Sequence, residues 1–230
     1  MTYDVIVAGA GPAGATAAYW LGEAGYRVVV LEKKALPRYK PCGGGVPQPV
    51  FDRFPFDFSP VIERWVRHVR FRFRDGREVV ADLPDRAVAM VMRDRFDLHI
   101  LNHADADVRD QAPVTALEQD ASGVTVTIGS GETLRGRYLI GADGANSRVS
   151  QLVSLSKDHQ TGIAIEGEIP VEPALLEEYA NTALFVFGTP RQGYLWIFPK
   201  ATHLSVGIGT FQRRVSNMKQ VLHKEMAKLG

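Results

Sequence analysis

Tyr3-Asp4-Val5-Ile6-Val7-Ala8-Gly9-Ala10-Gly11-Pro12-Ala13-Gly14 is an apolar run that meets glycine at once, as a buried parallel strand does when it turns into a helix. Behind it, Ala15-Thr16-Ala17-Ala18-Tyr19-Trp20-Leu21 is small and helix-compatible, Gly25 ends that helix, and Arg27-Val28-Val29-Val30-Leu31-Glu32 reads as a second strand. Gly9 permits the tight turn, Gly11 lets backbone amides approach a pyrophosphate, and Gly14 allows close packing of helix on strand. Pro12 suits the first helical turn, where its missing N–H would be unpaired anyway. The start of the helix, Pro12-Ala13, offers free N–H groups and a positive dipole end to phosphates. Glu32, followed by Lys33, stands at the tip of the second strand, where a carboxylate can accept from ribose hydroxyls. Glycine turns also occur for purely structural reasons, but here strand, turn, helix and acid come in the expected order, which points to an adenine dinucleotide.

The 230 residues amount to roughly one and a half domains of ~150 residues. Apolar residues make up 45%, and 27 basic residues face 26 acidic ones, a balance unlike that of a disordered chain or a strongly basic nucleic-acid binder. No nucleic-acid partner is expected. The single cysteine excludes an internal disulfide and a cysteine-based metal cluster, so a reducing, cytoplasmic setting is the simplest expectation. No metal is expected, because the six histidines show no ligand spacing. No apolar stretch reaches the ~18 residues of a membrane span, and the first residues lack the features of a signal peptide.

Arg137-Tyr138-Leu139-Ile140-Gly141-Ala142-Asp143-Gly144 repeats the plan of strand into glycine turn, and a helix should follow. Before it, Val114–Glu118, Val124–Ile128 and Glu132–Leu134 read as a meander broken at Ser122-Gly123 and Ser130-Gly131. This order resembles the flavin-binding domain of the para-hydroxybenzoate hydroxylase-like flavoproteins. The resemblance implies FAD, with Asp143 and Gly144 near the pyrophosphate and Asp143 helping to organise the cofactor side. Ser150 stands where that family usually has arginine. A helix is expected from about Val91 to Ala106, with Phe96, Leu98, Ile100 and Leu101 at near-helical spacing. The resemblance makes Arg93 a flavin-side contact; its residue type alone also suits a surface position.

Arg38-Tyr39-Lys40-Pro41-Cys42-Gly43-Gly44-Gly45-Val46-Pro47 must be a loop, because three glycines after a cysteine carry too much backbone freedom for helix or strand. Its backbone is expected to run close to something flat or bulky. Arg38 and Lys40 would favour the thiolate if they lay near it. Together with Gly193-Tyr194-Leu195-Trp196-Ile197-Phe198-Pro199-Lys200, this segment resembles the geranylgeranyl reductase family, FAD enzymes that saturate isolated double bonds of isoprenoid chains. The resemblance implies that Cys42, Gly43 and Gly44 face the cofactor and that Gly45, Tyr194, Trp196, Phe198 and Pro199 face the substrate. In a strand, Tyr194, Trp196 and Phe198 share one face. They are then either a hydrocarbon-binding wall or sheet core.

An isolated alkene is a poor hydride acceptor, so a proton must reach one carbon as hydride reaches the other. Cys42 is the candidate acid, the alternative being a buried inert cysteine. The electron donor is left open between NADPH and ferredoxin, and the oligomeric state is left open too. Rival functions are a flavin monooxygenase or halogenase of the same fold, a flavin-deficient isoprenoid or lipid carrier, and a plain NAD(P)-binding module.

Arg64 to Arg74 alternates aromatic or apolar with basic residues and reads as one amphipathic strand with a solvated basic face, which would also suit peripheral contact with anionic lipid. Val215 to Leu229 reads as an amphipathic helix. The expected architecture is α/β: a Rossmann-like FAD-binding domain with an inserted β-meander (1–60 and 90–155), and a β-sheet-based substrate domain (61–89 and 156–230). In the latter, Gly162–Ile169, Ala183–Gly188, Gly193–Pro199 and Leu204–Thr210 are expected as successive antiparallel strands with an aromatic face towards the flavin. Against that family the chain is short, because no second G-D-A-type turn follows Thr210. The chain is then either a fragment or a shortened homologue with an open flavin site, and in both cases FAD is expected to bind weakly or be absent.

Overall fold

The structure is a computed structural model that describes residues 2–155, 161–212 and 217–227. Its contacts divide into two units, Met1–Tyr39 with Asp94–His159, and Lys40–Arg93 with Gln160–Gly230. Segment 40–60, expected with the first domain, groups with the second unit because Gly45–Pro47 pairs antiparallel with Val88–Val91.

The first unit is built on a six-stranded sheet ordered Asp107–Arg109, Val28–Leu31, Thr2–Ala8, Thr133–Gly141, Gly123–Ile128, Val114–Asp120. The first four strands are mutually parallel and the last two fold back antiparallel. Val28–Leu31 is buried along its whole length, the pattern of a strand covered on both faces. The third meander strand and the strand leading into Gly141 are not separate elements. Thr133–Gly141 is one strand, antiparallel to Gly123–Ile128 at its start and parallel to Thr2–Ala8 almost throughout. Ile6, Val29, Leu31, Val126 and Leu134 meet in its core.

Helix Pro12–Glu23 packs through small residues, with Gly14, Ala15, Ala18 and Gly22 buried. The second expected helix runs only over Arg93–Asn102. His103 and Ala104 close it with bonds to the carbonyls of Ile100 and Leu101, and Asp107–Arg109 then joins the sheet edge beside Val28–Leu31.

The second unit holds a six-stranded sheet ordered Ile163–Ile169, Leu204–Thr210, Gly193–Pro199, Thr182–Phe187, His68–Phe73, Glu78–Asp82, and a three-stranded sheet of Gly45–Pro47, Val88–Val91 and Ile62–Val66. The four expected strands form, but Ile163–Ile169 pairs with Leu204–Thr210 rather than with its successor in sequence. Helix Pro173–Glu178 intervenes, and Thr182–Phe187 then pairs parallel to His68–Phe73.

The single strand expected from Arg64 to Arg74 is two strands in two sheets, separated at Arg67. Its basic face is not freely solvated: Arg70 and Arg72 both pair with Glu78, and Arg64 donates to the carbonyls of Lys200 and Ala201. Of the C-terminal helix, Met218–Met226 is observed, with Met218 and Leu222 buried; Val215 and Leu229 lie outside the described residues. No helix among the described residues is long and apolar enough to cross a membrane.

Candidate functional site

In the first unit three strand ends come together at one edge. The Gly9 amide donates to Leu31 O at 2.8 Å, and the Ala142 amide donates to Ala8 O at 2.8 Å. Gly9 has φ +104°, and a Cβ there would lie 2.5 Å from Ala142 O. The two glycine turns quoted from the sequence are therefore in contact. Gly14 sits still closer to its neighbour, where a Cβ would fall 1.8 Å from Gly9 O. Helix Pro12–Glu23 starts at Gly11 with Pro12 in its first turn, no side-chain cap and no acid, which leaves its leading N–H groups for a ligand.

Glu32 is buried, and its carboxylate accepts from Ala10 N at 3.0 Å, Lys34 N at 3.1 Å and Arg38 Nε at 3.0 Å. Burial works against the ionised form, yet the bonds from Ala10, Arg38 and Lys34 outweigh it and the pKa of Glu32 is lowered. Arg38 also donates from Nη2 to Asp97 at 3.1 Å, itself buried. The guanidinium is thus committed to Glu32 and Asp97. Arg38 Nη1 is buried with no hydrogen-bond partner. An unused buried donor beside an acid, next to a turn with no room for a Cβ, fits a polar group such as a dinucleotide ribose or phosphate.

Lys33 is exposed next to Glu32. Asp143 accepts from Ser147 Oγ at 2.5 Å, Arg148 N at 2.5 Å and Val149 N at 3.1 Å, so its carboxylate ties the second glycine turn to helix Arg148–Leu152. Gly144 follows at φ +87°. Ser150 donates to Leu155 O and stays within its own helix end.

The lowered pKa of Glu32 gives a pH dependence with a definite sign. A folded-state value below the unfolded one contributes stability that is present above the unfolded value and lost as pH falls through the folded one. Glu32→Gln should cost about 3 kcal/mol at neutral pH, where Arg38 loses a charged partner, and progressively less in acid. Urea titrations of both proteins at neutral and acid pH check this; a gap that does not shrink in acid would rule it out.

In the second unit, Cys42 is an exposed free thiol, not a buried one. The loop after it is tightly held. A Cβ on Gly43 would lie 2.7 Å from the Phe198 ring and 3.0 Å from Trp196 Nε1, while Gly45 is in ordinary contact with Met90 and Phe198. The expectation that this loop runs against something flat is met by those two aromatic rings. Gly44 is buried at φ +70°, with its carbonyl accepting from Val91 N at 2.9 Å. Arg93 is half-buried at the start of its helix.

Tyr194, Trp196 and Phe198 do share one face, with successive ring centroids 6.0 and 6.5 Å apart. Register places Phe185 opposite Trp196 and Phe187 opposite Tyr194, then Phe71 opposite Phe185 and Phe73 opposite Phe187. The wall is therefore wider than the sequence reading made it. The alternation Phe185-Val186-Phe187 was the available signal for the extra strand. Trp196 and Phe198 are buried with Val66, Met90 and Ala183, and Pro199 is buried, whereas Tyr194 remains exposed.

Lys200, quoted in the aromatic motif but given no role, is completely buried. Its Nζ donates to Gly43 O at 2.9 Å and Val91 O at 2.7 Å. Burial lowers its pKa, with Glu168, Cys42, Glu166 and Glu63 acting in the opposite sense. A lysine closing an apolar strand was the signal; its carbonyl partners lie far away in sequence.

A family model described as FAD binding domain matches residues 2–55 and 61–219. The chain belongs to that family. Its cofactor is accordingly FAD, and the α/β architecture follows with it. An uncharacterised protein of Methanosarcina barkeri is 33% identical over 231 residues, covering 99% of this chain and 59% of its own length. The geranylgeranyl diphosphate reductase of Synechocystis sp. is 31% identical over 242 residues, covering 96% of this chain and 58% of its own length. Among solved structures, a geranylgeranyl bacteriochlorophyll reductase-like protein of Thermoplasma acidophilum superposes with a TM-score of 0.85 at 23% identity, over 99% of this chain and 62% of its own. The chain thus spans a little under two thirds of these relatives, and the likeness to geranylgeranyl reductases read from the Cys42 loop and the aromatic strand recurs among them.

Proposed function

We propose that this chain carries the FAD-binding and substrate-facing part of a flavin-dependent reductase that saturates isolated C=C bonds in a prenyl chain. The observation that carries the reading is an exposed thiol, Cys42, on a loop whose next residue lies against Trp196 and Phe198. Bound FAD, once reduced, supplies the hydride. Cys42 Sγ–H gives its proton to the other alkene carbon, so the double bond gains one hydride and one proton and the sulfur is left as thiolate. Being exposed, that sulfur recovers a proton from water. The aromatic face of the sheet, open at Tyr194, provides an apolar surface for the hydrocarbon. Gly9, Gly11, Pro12, Ala13, Gly14, Glu32, Arg38 and the Asp143-Gly144 turn would hold the dinucleotide, its phosphates facing the uncapped helix start.

The test supplies the protein with FAD, a chemical reductant and a geranylgeranyl lipid, and follows saturation by mass spectrometry. Cys42→Ala should bind FAD with unchanged affinity and lose turnover by about 10²-fold or more, the usual contribution of a positioned acid. Unaltered turnover in this variant would sink the assignment. Oxygen uptake coupled to a hydroxylated or halogenated product would move the protein to the monooxygenase reading instead.

A further inference from the structure

We propose that Lys200 is a positioning residue for the Cys42 loop, its buried ammonium holding the backbone just beyond the thiol against the aromatic face. The inference rests on the reading of Cys42 as proton donor.

Its geometry is that of a clamp with a fixed base. The turn carrying Lys200 is closed by its own amide on His203 O at 2.8 Å. That turn is tied to the neighbouring strand twice over: Arg64 donates to Lys200 O and Ala201 O, and Glu63 accepts from Ala201 N at 3.1 Å. From this base the side chain runs inward, and its Nζ reaches two carbonyls from different segments, Gly43 O and Val91 O. Gly44 closes the arrangement. A Cβ there would lie 2.1 Å from Val91 O and 2.6 Å from Lys200 Nζ, so the loop approaches both partners as nearly as a backbone can.

Stability alone does not account for an ammonium in this place. Burial disfavours its charged form, and two neutral carbonyls return less than a carboxylate would. What the ammonium supplies is direction, two donors converging on the residue that follows the thiol and on the strand beside it. Three consecutive glycines have no conformational preference of their own to hold Cys42 still. The lysine provides what the loop sequence lacks.

The experiment compares wild type with Lys200→Met, which keeps length and apolarity but has no donor. Its readouts are amide hydrogen exchange of Gly43 to Gly45 and Val91, the maleimide labelling rate of Cys42, FAD affinity, and alkene turnover split into kcat and KM. Lys200→Met should release the loop amides, alter the labelling rate, leave FAD affinity unchanged and lower kcat by about 10²-fold, the cost of a misplacement near 1 Å. In Lys200→Ala, a small primary amine in solution should restore part of both protection and turnover. Should the methionine variant fail to fold, Lys200→Gln takes its place: its donors sit on a shorter, uncharged side chain, so the same readouts should change in the same direction and to a smaller extent.

Unchanged loop exchange, or full turnover despite a loosened loop, overturns the proposal. If Cys42→Ala keeps full turnover, the proton-donor reading fails by itself. The exchange and labelling data still report whether Lys200 holds the loop.

Discussion

Gly14→Ala should cost about 3 kcal/mol or more of stability in the first unit and abolish measurable FAD binding. The added Cβ would sit 1.8 Å from Gly9 O, 3.0 Å from Gly9 C and 3.2 Å from Val7 Cγ1. Two of these atoms are backbone, and the chain entering the same glycine turn is held by the Gly9 amide donating to Leu31 O and the Ala142 amide donating to Ala8 O, so no rotamer change relieves the clash. Overpacking of side chains typically costs 1–3 kcal/mol, and a clash with backbone belongs at or above the top of that range. The helix must lift off the strand, which moves its free N–H groups away from any phosphate. Gly25→Ala is the control: it has φ +80° but nothing within 4 Å of a Cβ, so its cost is only the left-handed backbone penalty of about 1–2 kcal/mol. Equal effects of the two substitutions, measured by urea unfolding and flavin fluorescence, would show that close approach is not what Gly14 provides.

Trp196→Ala should destabilise the second unit by about 3–5 kcal/mol. Its indole packs among Val66, Met90, Ala183 and Phe198, and its Nε1 lies 3.4 Å from Ser205 Oγ. Across the strand its partner is Gly207, where a Cβ would fall 2.0 Å from Trp196 Cζ2; the ring lies over the glycine and fills the space a side chain would take. Gly207→Ala alone should therefore be costly, yet nearly free once Trp196 is alanine. A double-mutant cycle reads this as a strongly non-additive pair. Additive costs would mean that the indole and the glycine do not share that space. The outcome also bears on the two sequence readings of the aromatic face, where Trp196 and Phe198 are buried and Tyr194 is exposed.

What could be read from sequence was what depends on near neighbours. The first strand, the glycine turn, the helix and Glu32 all formed where expected, because each is specified within a few residues of itself. Alternation placed Tyr194, Trp196 and Phe198 on one face, and glycine content marked the loop as far as Gly44; its last three residues, Gly45–Pro47, expected as loop, form a strand instead, because pairing with Val88–Val91 outweighs the freedom of Gly45. Alternation names a face but no partner, however. It did not reveal that Ile163–Ile169 crosses to the far side of Leu204–Thr210, or that Arg67 divides one amphipathic stretch between two sheets. The partners of Arg38 and Lys200 were not legible for a related reason. Arg38 is bound to Asp97 and Lys200 to Gly43 and Val91, all distant in sequence, and a cation's residue type does not disclose which acceptor it reaches.

The parallel pairing of Thr2–Ala8 with Thr133–Gly141 also constrains how the protein is made. During synthesis strand Thr2–Ala8, its turn and its helix precede the strand that flanks them on one side, which is translated only after all of segment 40–93, part of the other unit. Such pairing has a high contact order and forms slowly, so the Val5–Ala8 edge stays open to wrong partners on the ribosome. Expression of this chain should therefore respond to chaperone supply and to slower translation before Thr133, even with every site residue intact.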